Sequence, residues 1–429
     1  MIEKLFHVQE RGSSIRTEVI AGLVTFFAMA YIIFVNPSYL SQTGMDFNAV
    51  MIATAVAAAV GCFLTAFIAN MPFAQASGMG LNTFFTYSIC FGMGYTWQQG
   101  LTIVLISGLI FLAITLTPAR KTIIDSIPQT LKSAISVGIG LFITFIGLIN
   151  AGIVIGFGEG VGVYTDLGAI TSGAPLVAVI GILITSILFA LKVKGAMLIG
   201  ILATTIIGIP FGVTVIPETL TLSASIAPVA FKLDFSVFSL GLVPVLTSIL
   251  TFSMVDMFDT CGTLIGVSEN TNLKNENMDR VLVADALATC CGALLGTTTV
   301  TTFVESSTGV EEGGRTGLAN VVTGLLFLLS CLFAPIVGIV PSAATAPALI
   351  LVGVFMMKNA LNIEWGNMEE AIPAFLTIVM MPFAYSISDG IAFGFISYII
   401  MKLIKGKVKE ISIPMWIISL LFLLLYIVD

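Results

Sequence analysis

The chain has 429 residues, of which 57% are hydrophobic and only 10% charged, with a formal net charge of −7. Soluble domains carry about a quarter charged residues, so a soluble globular chain is excluded. A nucleic-acid-binding chain is excluded too, because the 17 basic residues are scattered rather than clustered.

Long apolar runs fill almost the whole sequence and mark a polytopic membrane protein. The first 16 residues form a polar tail carrying Lys4, Arg11 and Arg16. The apolar run behind them is too long for the core of a signal peptide and reads as the first span. A span needs about 20 apolar residues to cross roughly 30 Å of hydrocarbon. Clear runs lie at 17–37, 48–70, 97–117, 131–155, 173–192, 194–215, 238–258, 281–299, 315–340, 342–358, 371–384 and 386–404. Two further stretches, 76–95 and 300–312, are apolar but rich in Gly, Ser or Thr. Counted as broken spans, they bring the total to fourteen by residue 404 and leave 412–428 as an extra span or a helix lying on the membrane.

Cytoplasmic loops collect Lys and Arg. With the N-terminus inside, the even-numbered loops hold Arg120, Lys121 and Lys132, then Lys192 and Lys194, then Lys274 and Arg280, then Arg315 and Lys358. Lys402, Lys405, Lys407 and Lys409 also fall inside, and only Lys232 lies outside. The two polar segments are third and tenth in the count, which splits the chain into halves at 17–215 and 238–404. An odd number of spans per half makes the halves opposite in orientation. Gly-interrupted segments at matching places of two such halves point to a substrate site near the bilayer midplane.

The first broken segment runs from Pro72 through Gln75, Gly78 and Gly80 to Asn82. Gly78 and Gly80 allow the backbone to leave helical geometry and free N–H groups for a ligand, or alternatively let helices pack closely. Asn82 offers a donor and an acceptor to a heterocyclic edge, or to a neighbouring helix.

Asp256 and Asp259 follow in the run Phe252-Ser-Met-Val-Asp-Met-Phe-Asp-Thr-Cys-Gly262. Three residues apart on a helix, they lie roughly on one face. Two ionised carboxylates so placed repel, and an exchangeable proton is what proton coupling requires. A sodium or divalent-metal site, or one Asp capping a helix break near Gly262, are the alternatives.

The second broken segment, from Gly296 to Val310, alternates in a β-like way through Thr299, Val300, Thr301 and Thr302 before Phe303 and Glu305. A carboxylate in an apolar region costs several kcal/mol unless paired or hydrated. Glu305 is therefore a substrate or proton ligand, unless the hydroxyls around it satisfy it. Glu311 and Glu312 read as solvated loop charges, Asp285 as a partner for the second polar segment, and Asp389 as a helix cap.

Six cysteines lie in or beside apolar runs without a CxxC, and His7 sits in the tail. No zinc, haem, iron–sulfur or other cofactor set is present, and no disulfide framework. With no nucleophile–base pair either, an enzyme is not expected.

Several strings then resemble one family. They are Gly78-Met-Gly-Leu-Asn82, Val255-Asp-Met-Phe-Asp-Thr-Cys-Gly-Thr-Leu-Ile-Gly-Val267, Thr301-Thr-Phe-Val-Glu-Ser-Ser-Thr-Gly-Val310 and Glu312-Gly-Gly-Arg-Thr-Gly-Leu318. The opening from Phe6 to Leu23 is similar as well. Together they resemble the azaguanine-permease-type (AzgA-like) purine permeases of the nucleobase–cation symporter-2 superfamily, which include guanine/hypoxanthine and adenine permeases.

The resemblance implies an all-α membrane fold of fourteen spans in a 7+7 inverted repeat, with short strands in spans 3 and 10 meeting at the midplane. It implies a cytoplasmic tail (1–16), a core domain in two parts (17–117 and 238–340) and a gate domain in two parts (118–215 and 341–404). An outside connector (216–237) and a C-terminal basic and hydrophobic segment (405–429) complete the chain.

By the same resemblance, Asp259 in Asp-Thr-Cys-Gly262 and Glu305 bind the base, with Asn82, Gly80, Thr302 and Phe303 around it. Asp259, Glu305 and Asp256 carry the proton. Phe84 and Phe85 are further stacking candidates. The implied protein is a multi-pass purine carrier of the cell (inner) membrane, N-terminus cytoplasmic. It imports hypoxanthine, guanine or adenine with a proton by an elevator movement, as a homodimer in the lipid bilayer and with no nucleic acid partner. Related uracil/xanthine carriers have a Gln or Glu before Asn-x-Gly, whereas this chain has Glu305-Ser-Ser-Thr-Gly309. A uracil/xanthine carrier of the same fold, an inorganic-anion permease and a cation channel lined by the three carboxylates are the competing readings.

Overall fold

A computed structural model of the chain describes residues 2–117, 126–156, 165–216, 225–269, 277–333 and 337–428. The apolar runs fold as helices. After a short α1 (Ile2–Phe6), α2 (Ile15–Met29) starts at Ser14, whose hydroxyl accepts from the Thr17 amide at 3.1 Å. The first span then breaks at Ala30–Tyr31 and resumes as α3 (Ile32–Leu40), and α4 (Phe47–Leu64) follows, capped by Asp46.

The chain next leaves helical geometry, as the first Gly-rich segment predicts. Asn70 turns through the left-handed region, and β1 (Gln75–Ser77) leads into α5 (Met79–Thr83), which widens into π-type turns over Phe84–Gly92. A Thr96–Gln99 capping box opens α6 (Trp97–Thr115). Beyond it lie α7 (Gln129–Asn150), the strand pair β2 (Val154–Gly156) and β3 (Thr165–Leu167), α8 (Gly173–Ala190) and α9 (Ala196–Gly208).

The second half repeats the plan. The long α10 (Leu242–Glu269) and α11 (Met278–Leu295) precede β4 (Val300–Thr302), the short α12 (Ser306–Glu311) and α13 (Gly317–Ser330). Then come α14 (Ser342–Met356), α15 (Met368–Phe383), α16 (Ile387–Ile404) and α17 (Ile413–Val428). Among the described residues, eight helices are long and apolar enough to cross a membrane, and three shorter apolar helices accompany them. Of the other runs counted in the sequence, 76–95 and 300–312 are interrupted at the strands, 281–299 falls mostly in the 18-residue α11 with its Asp279, Arg280 and Asp285, and 371–384 falls mostly in the 16-residue α15. Arg120, Lys121 and Lys274, used in the sequence to orient the loops, lie outside the described residues.

Packing sorts the helices into two groups. In one, α13 lies on α2 and α4, α11 on α4 and α6, and α10 on α6. In the other, α7 lies against α14 and α15, α15 against α16, and α8 against α9 and α14. Between the halves of the first group, β1 and β4 form an antiparallel pair with Gln75 opposite Thr302, Ala76 opposite Thr301 and Ser77 opposite Val300. The strands predicted in the two broken segments therefore meet, one from each half of the chain.

The C-terminal run folds as a helix held at both ends. The Ser412 hydroxyl, just ahead of α17, donates to the Ser126 carbonyl at 2.9 Å. Near the helix's other end, the Tyr426 hydroxyl donates to Asp389 Oδ1, in the first turn of α16, at 2.7 Å. The helix thus runs antiparallel along the length of α16 and also touches α10.

Candidate substrate site

Unwound backbone inside an apolar body must satisfy its N–H and C=O groups with protein partners. Asn320 on α13 does this ahead of β1, donating its Nδ2 to the carbonyls of Met71 at 3.0 Å and Phe73 at 2.8 Å. Ala74 gives its amide to Ser306 Oγ at 3.0 Å, and its carbonyl accepts from the Phe303 amide at 3.0 Å. Asn70 accepts from the Gly317 amide at 2.9 Å and donates to the Phe6 carbonyl at 2.9 Å. The crossing of the two strands is thereby pinned from both halves.

Behind the strands lies Asp285 of α11, fully buried. Its Oδ1 accepts from the Thr302 amide at 2.8 Å, the Thr302 hydroxyl at 3.0 Å and Gln75 Nε2 at 3.3 Å. Its Oδ2 accepts from Thr260 Oγ1 at 2.9 Å. A hydroxyl has one hydrogen, so the 2.7 Å contact between Thr260 and Thr301 is donated by Thr301. The sequence expectation that Asp285 pairs with the second polar segment holds. Thr302, expected at the substrate, instead commits its amide and hydroxyl to Asp285.

Asp256 and Asp259 both sit on α10, but they serve different surroundings. Asp256 is buried, and its Oδ2 accepts from Thr289 Oγ1 on α11 at 3.1 Å; Oδ1 has no partner. Its electrostatic neighbours are Asp285 and Asp259. Asp259, only partly buried, interacts electrostatically with Glu305. Helix α10 continues without a break through Gly262 to Glu269, so neither Asp caps an interruption there.

Glu305 is also partly exposed and stands just ahead of α12. Its Oε1 accepts from the Tyr31 hydroxyl at 2.7 Å, and the Tyr31 ring lies 6.3 Å from that of Phe303. Val304 between them is 55% exposed. Asp259 and Glu305 are thus both partly exposed, with the exposed Val304 next to Glu305, whereas Phe303, Asp256 and Asp285 are buried.

Asn82 lies on another side of the crossing and is fully buried. Its Oδ1 accepts from Ser77 Oγ at 3.2 Å and from Thr298 Oγ1, while its Nδ2 is unpartnered. Gly78 precedes α5 in an extended conformation, and Gly80 is helical rather than unwound, facing Ile139 of α7 so closely that a Cβ would come within 2.7 Å. Its contribution is close approach of the two helix groups, the packing alternative. Phe84 is buried against Phe252, with centroids 4.8 Å apart, and Phe85 is equally buried. Asp389 does not cap α16; Ser386 does, accepting from the Asp389 amide at 3.2 Å.

Sequence reasoning missed Tyr31, Gln75, Thr260 and Thr289. Gln75 alone carried a signal, standing among small residues directly before the glycines. Glu18, fully buried at the start of α2, was missed as well; it accepts from the Arg315 amide at 2.8 Å and the Thr316 amide at 3.3 Å.

Residues 16–393 match the sequence model of the Permease family, Xan_ur_permease. This chain belongs to that permease family. The permease is 44% identical over 440 residues to the guanine/hypoxanthine permease PbuG of Bacillus subtilis, covering 99% of each chain. It is 40% identical to the adenine permease AdeP of Escherichia coli, covering 99% of this chain and 95% of the relative. In structure it resembles the transmembrane domain of the cyanobacterial bicarbonate transporter BicA, with TM-score 0.63 and 16% identity over 87% of this chain and 97% of that one. It also resembles the murine anion transporter Slc26a9 in its inward-facing state, with TM-score 0.68 and 10% identity over 91% and 68% of the two chains. At such identities these likenesses concern the fold alone. The protein is thus a multi-pass nucleobase permease and not an enzyme.

Proposed function

We propose that this permease is a secondary active importer of purine nucleobases, hypoxanthine and guanine first and adenine with them, coupled to a proton. What supports the reading is the electrostatic interaction of two partly exposed carboxylates, Asp259 and Glu305, with Glu305 in the segment just after strand β4, in a chain 40–44% identical to relatives named guanine/hypoxanthine and adenine permeases. A neutral purine presents N–H groups that two carboxylates can accept, and hydrogen bonds to charged groups are worth about 1.5–3 kcal/mol each. Phe303 supplies a ring at the same place.

Proton entry with a neutral base moves one positive charge down the membrane potential. Asp259 and Glu305 carry that proton in this reading, and Asp256 relays it. The first helix group moves as the core against the second as the gate. The chain crosses fourteen times up to residue 404, N-terminus cytoplasmic, in the cell membrane and as a homodimer.

Uptake of labelled hypoxanthine, guanine and adenine into cells lacking their own purine carriers tests this, with and without a protonophore. Saturable uptake that collapses with the protonophore and in Asp259→Asn and Glu305→Gln is expected. Transport of none of the three bases, with protein present in the membrane, refutes the purine assignment.

A further inference from the structure

Tyr31 stands where the first span breaks. Around it the backbone tightens, with the Ile33 amide bonded to the Ala30 carbonyl at 3.2 Å and the Phe34 amide to the Tyr31 carbonyl at 3.0 Å, both three residues back. The side chain is only 1% exposed, yet its hydroxyl reaches Glu305 Oε1 at 2.7 Å. Its ring lies beside Phe303, so one residue of the first span holds two residues of the segment that joins β4 to α12.

Glu305 needs such a support. Among the described residues the ion pairs given run between other partners than Glu305. When both groups are ionised, its electrostatic neighbour Asp259 repels it. An O–H donor to a carboxylate is a strong, directional partner. Because the phenol is sealed and the carboxylate partly exposed, the phenol works from behind.

We infer that Tyr31 is a positioning residue for base recognition: its phenol anchors Oε1 of the partly exposed Glu305 and leaves Oε2 for a purine N–H. The inference rests on the reading of Glu305 as a base-binding residue.

The test is equilibrium binding of hypoxanthine to the purified permease, together with its melting temperature. Wild type, Tyr31→Phe, Glu305→Gln, Glu305→Ala and the Tyr31→Phe/Glu305→Ala double variant are compared. Tyr31→Phe removes one oxygen from a buried ring and is expected to raise Kd about tenfold, which corresponds to about 1.4 kcal/mol, while the melting temperature stays near that of wild type. In the Glu305→Ala background, which leaves the phenol no acceptor, the same change is expected to shift Kd by less than about twofold. If Glu305→Ala binds too weakly to measure, Glu305→Asp replaces it, since a shortened side chain leaves the phenol's reach.

Two results overturn the inference and leave the Glu305 reading standing. One is a full tenfold effect of Tyr31→Phe in both backgrounds. The other is a lowered melting temperature with unchanged Kd, which assigns Tyr31 to packing. Unchanged Kd in Glu305→Gln refutes the base-binding role of Glu305 itself, and the Tyr31 inference with it.

Discussion

Lys194, in the turn between α8 and α9, forms an ion pair with Glu312 at the end of α12 and so joins the two helix groups. Their side chains are 56% and 29% exposed. Exposed pairs contribute about 0–1 kcal/mol, too little to hold the fold but enough to change the balance between two arrangements of the groups up to about fivefold. If the groups slide past each other, this contact exists in only one arrangement. Glu312→Gln is then expected to change initial uptake rates by no more than about fivefold, and Lys194→Glu to lower them further by like-charge repulsion. The double variant Lys194→Glu/Glu312→Lys should recover most of that loss. A swap as slow as Lys194→Glu alone would show that the pair has no part in the movement.

Helices α7 and α14 pack through a closer contact. A Cβ on Gly353 would come within 1.9 Å of Thr144 Oγ1 and 2.6 Å of the Gly140 carbonyl oxygen. The threonine can rotate, but the carbonyl belongs to the backbone of α7. Overpacking of this kind costs about 1–3 kcal/mol. Gly353→Ala should therefore lower the melting temperature of the purified protein, whereas Gly366→Ala, where nothing lies within 4 Å, should not. Equal melting of the two variants would contradict this packing.

Asp285 makes a sharper case, because it accepts from an amide, two hydroxyls and the Gln75 side chain at once. Removing the acceptor leaves buried donors unsatisfied, at about 1–3 kcal/mol each. Asp285→Ala is expected to abolish uptake and to lower the melting temperature. Asp285→Asn keeps one acceptor oxygen for the Thr302 amide and should retain more of both. If alanine and asparagine behave alike in both measurements, the charge rather than the acceptor geometry is what matters at this position.

The sequence was informative wherever local chemistry and long-range structure agree. Alternating threonines from Thr299 to Thr302 announced a strand-like segment and the glycines flanking Met79 a departure from helical geometry, and β1 and β4 pair there. The carboxylates were visible because acids are rare in apolar runs. Their division of labour was not. Residues three apart on a helix share a face only loosely, and packing turns Asp256 toward Thr289 while Asp259 interacts electrostatically with Glu305. Tyr31 left no trace in the pattern, since a tyrosine among apolar residues looks like packing until its hydroxyl finds Glu305 across 274 residues of chain. The bound on Thr302 was equally hidden: its donors are taken by an acid on another helix.

Glu369, at the start of α15 outside the apolar run, provides a pH signature. The Lys407 ammonium bonded to it at 2.8 Å holds its carboxyl below the usual carboxylate range; Lys402 and Lys405 add to the effect. A carboxyl depressed in the folded state is charged and paired there at pH values where the unfolded chain already binds a proton. Its stabilisation is therefore present above the unfolded value, about 4.3 for Glu, and is lost as pH falls through the lower folded value. Glu369→Gln should accordingly melt below wild type at neutral pH, and the gap should close as pH drops below about 4. Melting curves of both proteins between neutral and acidic pH decide the matter. A gap that persists unchanged in acid would place the loss in the geometry of the Glu369 side chain and not in its charge.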